Sequence, residues 1–158
     1  IVVMHGGNIH VESTEGKGTS FRFTLPASPN KILFVDDSKP DRILYTKLMK
    51  SFDGNYKILE ASSVEQAADV FEKERPALVL TDHKLIDKTG LQLVEILNSD
   101  KYEIKPSIIV LSGYISAEDI KSYEEAGIKY TFRKPVNVRE LKKAIEISLH
   151  MNLKGSQK

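Results

Sequence analysis

No cysteine occurs in the 158 residues. That excludes disulfides, thiolate metal sites and cysteine nucleophiles, and it suits a reducing cytosol. No apolar run approaches the ~20 residues a helix needs to cross a bilayer, so no membrane contact is expected. An excess of one charge is also lacking. The 23 Lys and Arg against 22 Asp and Glu leave a formal net charge of +1, which speaks against a basic nucleic-acid footprint. The chain opens on Ile1 rather than Met, as expected of a piece of a longer protein, and nothing about a targeting segment follows from such a start. What is present is ordinary for a water-exposed domain: 41% hydrophobic residues for a core and 28% charged residues for a surface.

The organising stretch is Ala77-Leu78-Val79-Leu80-Thr81-Asp82, a continuous apolar run that ends on a carboxylate. Such a run reads as a strand buried on both faces of a parallel sheet. Four more strand patterns flank it: Ile32 to Val35, Tyr56 to Glu60, Ser107 to Leu111 and Lys129 to Phe132. Between them lie helical stretches. One runs from Lys39 to Phe52 with Ile43, Leu44, Leu48 and Met49 expected inward. Another opens at Ser63, with Gln66 as its capping-box partner and Ala67, Val70 and Phe71 inward. Further helices follow Gly90, Ser116 and Asn137, the last running to about His150. Strict alternation of this kind predicts an α/β fold with a five-stranded parallel sheet and helices on both faces.

The polar groups just past each strand form a set. Asp36 and Asp37 follow the first strand, Asp82 the third, Ser112 the fourth, and Lys134-Pro135 the fifth. The carboxyl ends of such a sheet share one edge, so three carboxylates, a hydroxyl and an amine should converge there. Acids packed together raise one another's pKa values unless a cation holds them. An all-oxygen donor set suits Mg²⁺, which keeps waters and bridges to phosphates. An aspartate can attack phosphorus to give an acyl phosphate, and a lysine and a hydroxyl beside it would bind the new oxygens.

With Asp36-Asp37, Asp82 and Gly90 eight residues on, Ser112-Gly113 and Lys134-Pro135 in this order, residues 31–152 resemble a two-component receiver (response-regulator) domain of flavodoxin-like (βα)5 fold. The resemblance implies that Asp82 is the phosphoacceptor and that Asp36, Asp37 and Asp82 hold Mg²⁺. It implies that Ser112 contacts the phosphoryl group, that Lys134 pairs with it, and that Pro135 follows a cis peptide bond. Three positions depart from the family pattern. Leu85-Ile86 stand where Met-Pro is usual. Thr131 stands where the family's switch aromatic lies, with Tyr130 and Phe132 expected to face the core. Lys84 and Tyr114 occupy positions that in the family tune acyl-phosphate lifetime.

The first 25 residues read differently. Ile1 to Met4 suggest the end of a helix stopped by Gly6 and Gly7. Ile9, Val11 and Ser13 alternate with polar residues, as do Phe21, Phe23 and Leu25, and Glu15-Gly16-Lys17-Gly18 supplies a hairpin turn. The string from His5 to Ser13 followed by Glu15 to Pro26 resembles the closing segment of a histidine-kinase ATP-binding domain, without the boxes that hold ATP. Residues 26–30, with two prolines, read as a linker, and 153–158 as a flexible tail.

The expected whole is a phosphoacceptor receiver of a bacterial phosphorelay, part of a hybrid sensor histidine kinase and placed in the cytoplasm. Its partners would be a histidine kinase or a histidine phosphotransfer domain, with no nucleic acid. The hairpin would pack on the receiver or pair with a second copy as a homodimer. The alternative is a receiver-like docking module that works without phosphorylation. A flavin carrier is disfavoured, because Asp36-Asp37-Ser38-Lys39-Pro40 lacks a Gly-rich phosphate cradle.

Overall fold

The computed structural model describes residues 8–24, 28–86 and 88–155. Strands β1 (Asn8–Thr14) and β2 (Gly18–Thr24) form an antiparallel hairpin of their own. Its reversal uses Gly16 at φ 79° and Gly18 at φ 99°, a region that a side chain would strain. Val11 pairs with Phe21 across the hairpin, and both are exposed. The expected helix end at Ile1 to Met4 lies outside the described residues, as does Leu25.

The remaining strands are β3 (Ser28–Val35), β4 (Lys57–Ala61), β5 (Pro76–Thr81), β6 (Ser107–Ser112) and β7 (Tyr130–Arg133). They form one parallel sheet in the order β4-β3-β5-β6-β7. Helices α1 (Lys39–Lys50), α2 (Val64–Glu74), α3 (Gly90–Asn98), α4 (Ala117–Glu125) and α5 (Val138–Gly155) follow the strands in turn. The five-stranded parallel sheet with five helices is the expected α/β architecture. Strand alternation divides the core. Ile32, Phe34, Leu78 and Leu80 pack with Tyr45 and Met49 of α1 and with Leu141 and Ile145 of α5. Leu33, Val35 and Val79 pack with Ala67 and Phe71 of α2, Leu93 and Leu97 of α3, and Tyr123 of α4. Each fully buried Leu or Phe contributes roughly 1.5–3 kcal/mol, so the central strands are the rigid base of whatever their ends carry.

Several boundaries differ from the sequence reading. β3 begins at Ser28, so part of the expected linker is already strand; Ser28 pairs with Pro76 before the register shifts toward Ile32. Pro29 has no N–H to give a ladder, which accounts for an irregularity there. Helix α5 continues into the expected tail as far as Gly155, the first helix-stopping residue available, while 156–158 lie outside the described residues. The inner face of α1 is corrected in part: Met49 is buried and Leu48 packs against the core as expected, but Ile43 and Leu44 do not. Ile43 and Leu44 are each 59% exposed, and the buried residues are Tyr45, Thr46 and Met49. A helical stripe through Met49 passes through Arg42, Tyr45 and Thr46, which leaves Ile43 and Leu44 facing away. The Tyr45 ring then meets Phe34 of the sheet at 5.7 Å.

Among the described residues no helix is long and apolar enough to cross a membrane.

Candidate functional site

The sheet delivers its polar groups to one edge. Past β3, Asp36 N–H donates to Ala61 O (3.1 Å); past β5, Asp82 N–H donates to Val35 O (2.9 Å); past β7, Lys134 N–H donates to Ser112 O (2.8 Å). Each functional residue is therefore fixed by one last ladder bond, on a rigid strand rather than a free loop. Lys134-Pro135 is cis, as expected.

At the centre lies the Lys134 ammonium. It donates to Asp36 Oδ2 at 2.6 Å, Asp41 Oδ2 at 2.8 Å and Asp82 Oδ2 at 2.9 Å. The Tyr45 ring lies 5.6 Å from Nζ. Burial disfavours the ammonium, but the hydrogen bonds it donates to Asp36, Asp41 and Asp82 outweigh that cost and raise its pKa. For Asp36, fully buried, burial pushes the carboxyl above its usual range against the hydrogen bonds from Lys134 and from Ser38 N–H at 2.8 Å. The two directions oppose each other across one contact. The ammonium, with three anionic partners, stays charged, and Asp36 carries the cost of the buried position.

Asp82 is better placed for chemistry. Its side chain is 13% exposed, Oδ1 accepts from Lys84 N–H at 3.1 Å, and it faces a cleft of about 570 Å³. Asp37, His83, Lys84, Ser112, Tyr114 and Asp119 line the same cleft. The Ser112 hydroxyl donates to Tyr114 O at 2.8 Å, while the Tyr114 ring is 78% exposed at the rim. Gly90 is required by space: a Cβ there would lie 2.4 Å from Asp82 O and 2.8 Å from the Tyr123 hydroxyl. Leu85 is buried and Ile86 is 73% exposed, so one position of the altered loop pair joins the core. Thr131 is half-buried, and Tyr130 and Phe132, stacked 6.1 Å apart, pack against the α1 and α5 side of the core.

The expected trio of metal-binding carboxylates is not gathered around one point. Among the described residues no three such side chains are close enough to hold an ion. The physical reason is Lys134, whose ammonium sits between Asp36 and Asp82, while Asp37 stands exposed in the cleft.

Sequence reading missed five participants: Asp41, Arg42, His83, Asp119 and Tyr123. Asp41, in the first turn of α1, accepts from Lys134. Arg42 donates to Asp36 O at 2.7 Å and Asp37 O at 3.2 Å, tying the acidic turn to α1. His83 Nδ1 lies 3.0 Å from the buried Tyr123 hydroxyl, and its Nε2 is 3.5 Å from Asp119 Oδ2. Burial, with the charges of Asp119 and Asp82, pushes the Tyr123 phenol up. The Ser116 hydroxyl, hydrogen-bonded to Asp119 at 2.5 Å, holds that carboxyl below the usual range. The only signal for His83 was its place beside Asp82.

These features define a CheY-like receiver fold with an acid-and-lysine site at the sheet's carboxyl edge. Residues 32–146 match the response regulator receiver domain family, and the chain belongs to that family. It is 30% identical over 116 residues to sporulation initiation phosphotransferase F of Bacillus subtilis, covering 73% of this chain and 90% of that protein. It is 28% identical over 117 residues to histidine kinase P4 of Formosa agariphila, covering 73% of this chain but only 8% of the relative. A crystal structure of a CheY-like response regulator receiver domain protein from Methanospirillum hungatei superposes with a TM-score of 0.69 at 31% identity, over 81% of this chain and 99% of that one. Several other curated relatives are spanned for less than half their length. The protein is a receiver domain of two-component signalling.

Proposed function

We propose that Asp82 accepts a phosphoryl group from a phosphohistidine on a histidine kinase or phosphotransfer domain. The observation that carries this reading is the Lys134 ammonium, 2.9 Å from Asp82 Oδ2 at the base of a cleft that Asp37 and Ser112 also line. In the step, an Asp82 oxygen attacks phosphorus, an O–P bond forms and the N–P bond to the donor imidazole breaks. Lys134 and the Ser112 hydroxyl then face the new oxygens, which carry about −1.5 to −2 charge as in other phosphorylated side chains.

The donor set fits Mg²⁺ in kind, since every candidate ligand is a hard oxygen. Asp37 and Asp82 would hold it in the cleft, with Asp36 behind them through the lone pairs left on its two oxygens. Bound there, Mg²⁺ would neutralise charge on the transferring group.

The wider setting proposed is a hybrid sensor histidine kinase, cytoplasmic at this domain. Support comes from residues 5–26, which resemble the end of a kinase ATP-binding domain, and from the receiver-like segment within the Formosa histidine kinase. Thr131 in place of the switch aromatic favours the second reading, a docking module that works without phosphate.

Intact mass after incubation with Mg²⁺ and a small-molecule phosphodonor separates the two. The expected result is one phosphoryl adduct in the wild type, absent in Asp82→Asn and lost on chelation. No adduct in the wild type moves the assignment to the docking module.

A further inference from the structure

We propose that Asp41 competes with the phosphoryl group for Lys134: it holds the ammonium in the resting state and is the partner given up when Asp82 is phosphorylated. The inference rests on the phosphoacceptor reading above. An ammonium has three protons, and the oxygens of Asp36, Asp41 and Asp82 at 2.6, 2.8 and 2.9 Å take all of them. The Tyr45 ring closes another side at 5.6 Å. Resting Lys134 is saturated.

Phosphorylation changes one of its three partners. The Asp82 carboxylate becomes an acyl phosphate and gives up its own charge, while the added charge sits on phosphoryl oxygens further out in the cleft. Asp37, Asp82 and Ser112 form that cleft's walls, and Lys134, with an 11% exposed side chain, is not among them. To follow the charge outward the ammonium must release a contact on the α1 side. Asp36 is 0% exposed, and losing its cation would strand a buried carboxylate. The Asp41 side chain is 36% exposed, and water can replace what it loses. Asp41 is therefore the contact that breaks. It lowers the affinity of the site for the phosphoryl group and acts on the reaction only through Lys134, as a positioning residue.

The test uses the full chain with saturating Mg²⁺ and beryllium fluoride, a tetrahedral phosphoryl mimic, titrated by calorimetry. Asp41→Asn should bind the mimic roughly fivefold more tightly than wild type. Asp41→Ser should do the same, and Asp41→Glu, which keeps a competing carboxylate, should return toward wild type. Glu118→Gln removes an exposed carboxylate from the first turn of α4, outside the cleft lining and without contact to Lys134, and should leave the affinity unchanged. Equal or weaker binding by both Asp41→Asn and Asp41→Ser overturns the inference. So does an equal gain in Glu118→Gln, because the effect is then bulk charge rather than release of Lys134. A wild type that takes neither beryllium fluoride nor a phosphoryl adduct overturns the phosphoacceptor reading itself, a failure distinct from the other two.

Discussion

Asp82 has two flanks that share one cleft and are built in opposite ways. Toward α1 and β7, the Lys134 ammonium is packed among Asp36, Asp41 and Asp82, with nearly all of it removed from water. Toward α4, the flank is a chain of polar groups: His83 touches the Tyr123 hydroxyl and approaches Asp119, which is bound to the helix-capping Ser116. The first flank concentrates charge in a buried place, where removing Lys134 strands the buried Asp36. The second consists of groups that exchange hydrogen bonds and reach the open wall of the cleft. The difference implies that the α1 flank sets how strongly charge is held at Asp82, and that the α4 flank is the side on which the cleft meets solvent.

The comparison breaks most sharply at Lys134. Lys134→Ala leaves Asp36 buried without its cation, and an expected loss of about 3–5 kcal/mol in urea unfolding would match a buried pair broken on one side. A loss near zero would mean that Asp36 is protonated or hydrated in the variant, and that the α1 flank is no more committed than the other.

Tyr123→Phe probes the α4 flank. It deprives His83 of a partner inside the core, at an expected cost of about 1–3 kcal/mol in the same measurement. The two flanks also share a pH signature. In the folded chain the Tyr123 phenol is raised above its usual 10.0 by burial and by the Asp119 and Asp82 charges. Lys134 is raised above its usual 10.5 by its carboxylate hydrogen bonds, against burial. A raised folded-state pKa means that the native protein binds more protons than the unfolded chain. That stability is complete below the ordinary values and is lost as pH climbs past them. Unfolding midpoints should therefore fall as pH rises above 10. Tyr123→Phe should flatten the first part of that fall and leave the Lys134 part in place.

The smallest effect is expected at the rim. Tyr114→Ala removes a ring that is 78% exposed, and stability should stay within about 0.5 kcal/mol of wild type. A larger change would mean that the open flank is packed more tightly than its exposure indicates.

Much of this was readable from the residues. Continuous apolar runs mark central parallel strands because both faces are covered, as in β5 and β6, and all five expected strands became strands of the parallel sheet. Asp36, Asp82, Ser112 and Lys134 were visible because each follows its strand directly, and strand ends share an edge. Ser63 does cap α2, accepting from Gln66 N–H at 3.2 Å, but the Gln66 side chain reaches back to Ser62 N–H at 2.7 Å rather than to Ser63. The inner face of α1 was misjudged for a different reason. Counting apolar residues marks Ile43 and Leu44, whereas the rotation of the helix on the sheet is decided by where the Tyr45 ring fits beside Phe34.

By itself, then, the sequence determined the order of strands and helices and the set of groups at the strand ends, because those follow from local periodicity and from the geometry of a parallel sheet. Tertiary structure alone decided that Asp41 shares Lys134 with Asp36 and Asp82, and that His83 meets Tyr123. These pairs lie 93 and 40 residues apart. Whether such side chains touch depends on how each helix is rotated and shifted on the sheet. That placement is set by packing of the whole core, which no local pattern encodes.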